Sequence, residues 1–184
     1  MDLVVQGAEA GTWDWHIGTG QVTFNERWAT MLGYRLDELE PHVRTWEQLV
    51  HPDDMPVVMA LVSAHLRGET PLYASEHRLR TKSGTWCWVF DSGRVVERDA
   101  TGAPSRAAGI HLDISVRKQM EATQARDQRD LELKQQALDE AQSLAHLGFW
   151  EWNIATGEEQ WSDEQYRIFG LDPSRTTPTY ATFL

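Results

Sequence analysis

The stretch Gly11–Phe24, GTWDWHIGTGQVTF, decides how this chain is organised, because a second version of it stands at 148–161 as GFWEWNIATGEEQW. Trp13, Trp15 and Ile17 alternate with Thr12, Asp14 and His16, the period of a strand with one face buried. Gly18-Thr19-Gly20 supplies a tight turn and Val22-Thr23-Phe24 opens a second strand, so the segment reads as a β-hairpin. The later version keeps Trp150, Trp152, Ile154, Thr156 and Gly157 in the same order. A short helix through Arg27, Trp28 and Met31 is expected next, N-capped by Asn25 and stopped by Gly33. Ser162 and Gly170 hold the matching places after the second version. The two versions stand much further apart than the roughly 20–50 residues of a solenoid repeat. The repeating unit is therefore a whole domain with its connector. The chain is expected to hold one complete module over 1–118, a connector over 119–146 and the first part of a second module over 147–184.

Outward from the hairpin, residues 35–50 carry short helical turns, with Trp46, Leu49 and Val50 as inward anchors. His51-Pro52-Asp53-Asp54 opens a longer helix running to about Arg67. Asp53 as N-cap puts Pro56 at the third helical position, where its missing N–H is tolerated. Val57, Val58, Leu61, Val62 and Leu66 form the expected apolar stripe. Three strand patterns follow at 72–80, 85–97 and 104–114, parted by turns at 81–84 and 99–102. Two short and three long antiparallel strands, with helices between them, predict an α+β domain on a single five-stranded sheet.

From Ser115 the chain loses its turn signals for about thirty residues and fills with good helix formers. A seam can be drawn through Met120, Gln124, Asp127, Leu131, Lys134, Leu138, Ala141 and Ala145, only partly apolar, so any coiled coil is a weak one. Leu131 and Leu138 lie one heptad apart on it. Leu3, Val4 and Val5, on a short amphipathic helix expected over 2–10, form a second apolar patch. Both patches predict a homodimer.

A net charge of −11 without a basic patch argues against nucleic acid as a partner. No run approaches the ~18 apolar residues of a membrane helix, and no signal peptide precedes the first motif. The single Cys87 leaves no internal disulfide and fits a reducing compartment. A cytoplasmic chain without membrane insertion is the expectation.

The ordered motifs resemble a PAS domain with its C-terminal PAC segment, of the Trp-rich bacterial subgroup. They are Gly11-x-Trp13-Asp14-Trp15 with Thr19-Gly20, Met31-Leu32-Gly33-Tyr34 with Asp37-Glu38-Leu39, and Trp46-x-x-Leu49-Val50-His51-Pro52-Asp53-Asp54. Glu76-His77-Arg78-Leu79-Arg80, Lys82-Ser83-Gly84-x-x-x-Trp88 and Gly109-x-x-x-Asp113-Ile114-Ser115-x-Arg117-Lys118 complete the set. The resemblance implies a PAS fold with helices packed on one face of the sheet. It also implies a module that senses and transmits to an output domain of the same polypeptide, a histidine kinase or a cyclic-di-GMP enzyme. A pure assembly module that senses nothing is the competing reading.

Candidate sites are few. No nucleophile elbow, phosphate cradle or paired catalytic carboxylates stand out, so no catalytic site is expected. Among His51, His65, His77 and His111, only His65 lies in the long helix from which the resemblance implies a haem ligand would come. His77 and His111 fall on strands and are expected at the sheet surface. No histidine pair has metal-ligand spacing, so no metal is expected. Cys87 lacks the asparagine-cysteine-arginine setting of a flavin-adduct cysteine and reads as a small packed side chain. The nine tryptophans read first as core, leaving a small-molecule ligand open and flavin or haem as minor alternatives. Asp113, Ile114, Ser115 and Arg117 stand where the last strand becomes the linker helix. Ser115 is read there as its N-cap, and Asp113 and Arg117 as ties between sheet and helix that relay a signal.

Overall fold

Alternation in the first hairpin becomes strand pairing in the computed structural model, which describes residues 10–178. Strands β1 (Gly11–His16) and β2 (Gln21–Phe24) run antiparallel, with Trp13 opposite Phe24 and Trp15 opposite Val22. Asn25 then caps α1 (Glu26–Met31): its side-chain oxygen accepts from the Trp28 and Thr12 backbone N–H groups, each at 2.9 Å. One side chain thus satisfies a free helix donor and pins the helix to the hairpin. A 3-10 turn (Leu36–Glu38) and α2 (Val43–Leu49) follow, then α3 (Met55–Leu66), β3 (Tyr73–Arg80), β4 (Trp86–Arg98) and β5 (Pro104–Asp113).

The five strands form one antiparallel sheet in the order β2-β1-β5-β4-β3. Strand alternation sends Leu79, Cys87 and Val89 to one face, where they meet Val22, Phe24, Trp28, Leu32, Leu49 and Val50 in the core. Trp28 is fully buried and stacks on Phe24 with ring centroids 4.0 Å apart. Trp86 and Trp88 take the opposite parity and point to the outer face.

Two expectations for α3 need correction. Its first residue is Met55, so Asp54 and not Asp53 holds the capping position, and Pro56 is the second helical residue. Asp54 gives the helix no side-chain cap, because its carboxylate is engaged by Arg78 through the backbone N–H at 2.9 Å, Nε at 2.9 Å and an Nη at 2.6 Å. His51 Nδ1 instead accepts the Asp53 N–H at 3.1 Å. The apolar stripe is also narrower than expected. Val58 is buried and Val62 and Leu66 are half-buried, but Val57 and Leu61 face solvent.

The chain divides into two compact units at Glu121/Ala122. The 31-residue helix α4 (Ser115–Ala145) crosses that division, and none of its residues is buried. In the second unit, β6 (Trp150–Trp152) and β7 (Glu159–Trp161) form a two-stranded hairpin followed by α5 (Asp163–Phe169). Ser162 caps α5 through Gln165, and Gly170 ends it in the left-handed conformation at φ 68°. Trp150, Trp152, Ile154 and Ile168 remain exposed. Of the helix expected over 2–10, residues 2–9, with Leu3, Val4 and Val5, lie outside the described residues, and Ala10 is not helical.

Candidate functional site

Strand parity carries a row of polar side chains into the first unit. Ser75 pairs with Asp91, and Asp91 with His111, across adjacent strands. His77, Asp91 and His111 are all at most 3% exposed. The two histidines are therefore not at the sheet surface. They share parity with the core residues Leu79 and Ala107 and face the helices.

Three tryptophans supply hydrogen bonds to this row. Trp13 Nε1–H donates to Asp91 Oδ1 at 2.9 Å, Trp28 Nε1–H to His111 Nδ1 at 2.8 Å, and Trp46 Nε1–H to His77 Nε2 at 3.3 Å. An indole N–H can only donate, so each contacted ring nitrogen is an acceptor and the other carries the proton. His111 Nε2–H thus donates to Asp91 Oδ2 at 3.0 Å. His77 Nδ1–H donates to Ser75 Oγ at 3.0 Å, which meets the Tyr73 hydroxyl at 2.6 Å. Asp91 lies close enough to the Tyr73 hydroxyl to act on it electrostatically. Burial holds the His77 imidazolium form down to about pH 4, and burial beside Asp91 raises the Tyr73 phenol above its ordinary range.

Glycines make the Trp13 contact possible. Gly93 and Gly109 are cross-strand partners, and Gly109 also pairs with Trp13. A Cβ on either would lie 2.4 Å from the Trp13 ring. Without it, the indole lies across two strands and reaches Asp91.

A cavity of about 80 Å³ adjoins the row, walled by Trp13, Trp15, Trp46, Tyr73, Asp91 and His111 among others. Trp15 Nε1, buried at this wall, has no hydrogen-bond partner. His65 is buried with both nitrogens engaged, Nδ1 at 2.9 Å from the Thr70 carbonyl oxygen and Nε2 accepting the Val95 N–H at 3.0 Å. Cys87 lies buried on β4, its thiol pushed up to about 11 chiefly by burial.

The sheet-to-helix junction is the second constellation. Ile114 N–H donates to the Trp88 carbonyl at 2.8 Å, and Trp88 N–H donates to Ser115 Oγ at 3.0 Å. Ser115 begins α4 but does not cap it: Asp113 Oδ1 accepts the Ser115 N–H at 2.8 Å, and the Ser115 hydroxyl ties to the strand. Arg117 and Lys118 both reach Glu76 on β3, each at 2.7 Å, and hold its carboxyl below the usual range. The Trp88 ring lies between two cations, Arg78 at 5.4 Å and Lys118 at 5.3 Å. Sequence reading named Asp113, Ile114, Ser115 and Arg117 but missed Glu76, Trp88 and Lys118. It also missed the His77–Asp91–His111 row, for which parity with Leu79, Val89 and Ala107 was the available signal.

A family profile described as the PAS fold matches residues 21–111. A sensory box histidine kinase/response regulator from Burkholderia thailandensis has a solved structure 32% identical to this chain, with a TM-score of 0.63 over 71% of this chain and 96% of that one. The two-component sensor PprA of Pseudomonas aeruginosa is 32% identical over half of this chain and 9% of its own length. The Escherichia coli protein named as a probable diguanylate cyclase, DgcE, is 24% identical over 81% of this chain and 13% of its own. The chain thus spans about a tenth of the length of these two relatives. Strand order, motifs and profile agree: the first unit is a PAS domain, and the chain belongs to that family. The PAS fold is a sensory domain, not a catalytic one. No helix among the described residues is long and apolar enough to cross a membrane.

Proposed function

We propose that this chain is a cytoplasmic input module that dimerises and passes a signal from the PAS sheet along α4 to an output domain of a larger signalling protein. A histidine kinase or diguanylate cyclase output is supported by the kinds of protein that share its sequence. The observation that carries this reading is the anchoring of α4. Its first turn is tied to β3 through Glu76 and to β4 through Trp88, while the rest of the helix buries nothing of its own. Such a helix gains stability by pairing with a second copy, and any change in the sheet reaches it through two fixed points. Two arrangements of a weakly specified seam differ by only a few kcal/mol, which suits a switch.

The test joins residues 1–146 to a diguanylate cyclase catalytic domain and inserts single residues one after another behind Asp127. Output that rises and falls with the period of the helix supports the relay. Output indifferent to the insertions leaves α4 a spacer and favours the assembly reading.

A further inference from the structure

We propose that His77, Asp91 and His111 form a binding site for one divalent first-row transition-metal ion, held by His77 Nε2, an Asp91 carboxylate oxygen and His111 Nε2. The site stands apart from the relay and survives its failure.

The first support is position. Each residue offers one ligand atom, and these atoms all lie within 4.8 Å of one another. His111 Nε2 and Asp91 Oδ2 are already 3.0 Å apart, close to the spacing of two ligands that share an ion at roughly 2.1 Å. The three side chains come from three adjacent strands, so their backbone is fixed by the sheet. The second support is chemistry. Two imidazoles and a carboxylate form a donor set suited to zinc and to iron(II). The third is the surroundings. His77 donates its other ring N–H to Ser75 Oγ at 3.0 Å, the outer contact that orients metal-bound histidines. The cavity borders Asp91 and His111, which leaves the remaining coordination positions open to water or a small ligand.

Binding has one structural consequence. The ion takes the place of the proton on His111 Nε2, and that proton moves to Nδ1, so the imidazole stays neutral. Trp28 Nε1–H, now 2.8 Å from Nδ1, then faces another N–H and must turn away. Trp46 likewise releases His77 Nε2, which it contacts at the longer 3.3 Å. Coordination of a dication outweighs two indole hydrogen bonds. Metal uptake therefore moves Trp28, which stacks on Phe24 and belongs to α1.

The test strips the full chain with a chelator and titrates it with Co²⁺, then Zn²⁺. The expected result is one equivalent bound, with visible d–d bands for Co²⁺ and a change in tryptophan emission. His77→Gln and Asp91→Asn should each weaken binding by about tenfold or more, with exposed His16→Gln as an unaffected control. Trp28→Phe should tighten it, because Nδ1 is then free to carry the proton. Where a variant fails to fold, X-ray absorption of zinc on the unsubstituted protein decides, with two imidazoles and one carboxylate oxygen expected. No uptake, uptake indifferent to His77 and Asp91, or a different ligand shell overturns the site.

Discussion

Acid should weaken the first unit through His77. Its imidazole is fully buried, with Asp91, His111 and Asp54 as the charged or titratable groups acting on it, and burial outweighs them, holding its pKa near 4 against the ordinary 6.5. As pH falls through about 6.5 the unfolded chain takes up a proton that the folded one refuses until about 4. The unfolded state binds more protons across that window, so stability is full above it and declines within it. For the metal-free protein the expected loss between pH 7 and pH 4.5 is about 2 kcal/mol, seen as a lower urea midpoint. His77→Gln should lose clearly less over the same interval. Equal losses would place the acid sensitivity elsewhere. A second test at this scale concerns Gly109. An added Cβ would meet Ser92 O at 2.3 Å and the Trp13 ring at 2.4 Å. Gly109→Ala should therefore cost about 3 kcal/mol and lower the thermal midpoint by roughly ten degrees or more. A variant as stable as the parent would mean that Trp13 does not need the glycine pair.

At the scale of the element, α4 is the informative piece. Leu131 and Leu138 are 61% and 56% exposed, so neither is satisfied within its own chain. Replacing both with Lys should move sedimentation from dimer toward monomer while leaving the near-ultraviolet spectrum of the PAS unit unchanged. An unaltered mass would remove the linker from the interface. This helix was legible in the sequence because its signals are local: no turn residues from Ser115 onward and good helix formers throughout. The hairpin and the Asn25 cap were legible for the same reason. The start of α3 was not, since Asp53 and Asp54 are equal candidates until Arg78, far along the chain, claims the second. The His77–Asp91–His111 row was not legible either. Linear spacing carries no trace of a cluster that only the β3-β4-β5 register assembles. Each member could have been placed by parity once its strand was known to have a single buried face.

For the whole molecule, the division at Glu121/Ala122 separates one unit with a sheet, covering helices and a filled core from another whose described residues form, beyond α4, one hairpin and one short helix. The first should fold as residues 1–121 with a cooperative transition. The second differs in what it buries. Trp161 packs on Tyr166 and Phe169 at ring distances of 5.5 and 5.2 Å, yet Trp150, Trp152 and Phe149 are 50%, 44% and 56% exposed. In the first unit the matching residues, Trp13 and Trp15, are half-buried and line the cavity over a five-stranded sheet. Here the described residues form a two-stranded sheet, and a two-stranded hairpin is marginal in water. Hydrogen exchange on the full chain should therefore find the amides of β6 and β7 exchanging orders of magnitude faster than those of β4 at Val89–Asp91, which are paired on both sides. Ser162 and Gly170 still fix where α5 starts and stops, so its amides should fall between the two. Protection of β6 and β7 equal to that of β4 would show that the aromatic cluster around Trp161 is a sufficient core for this segment.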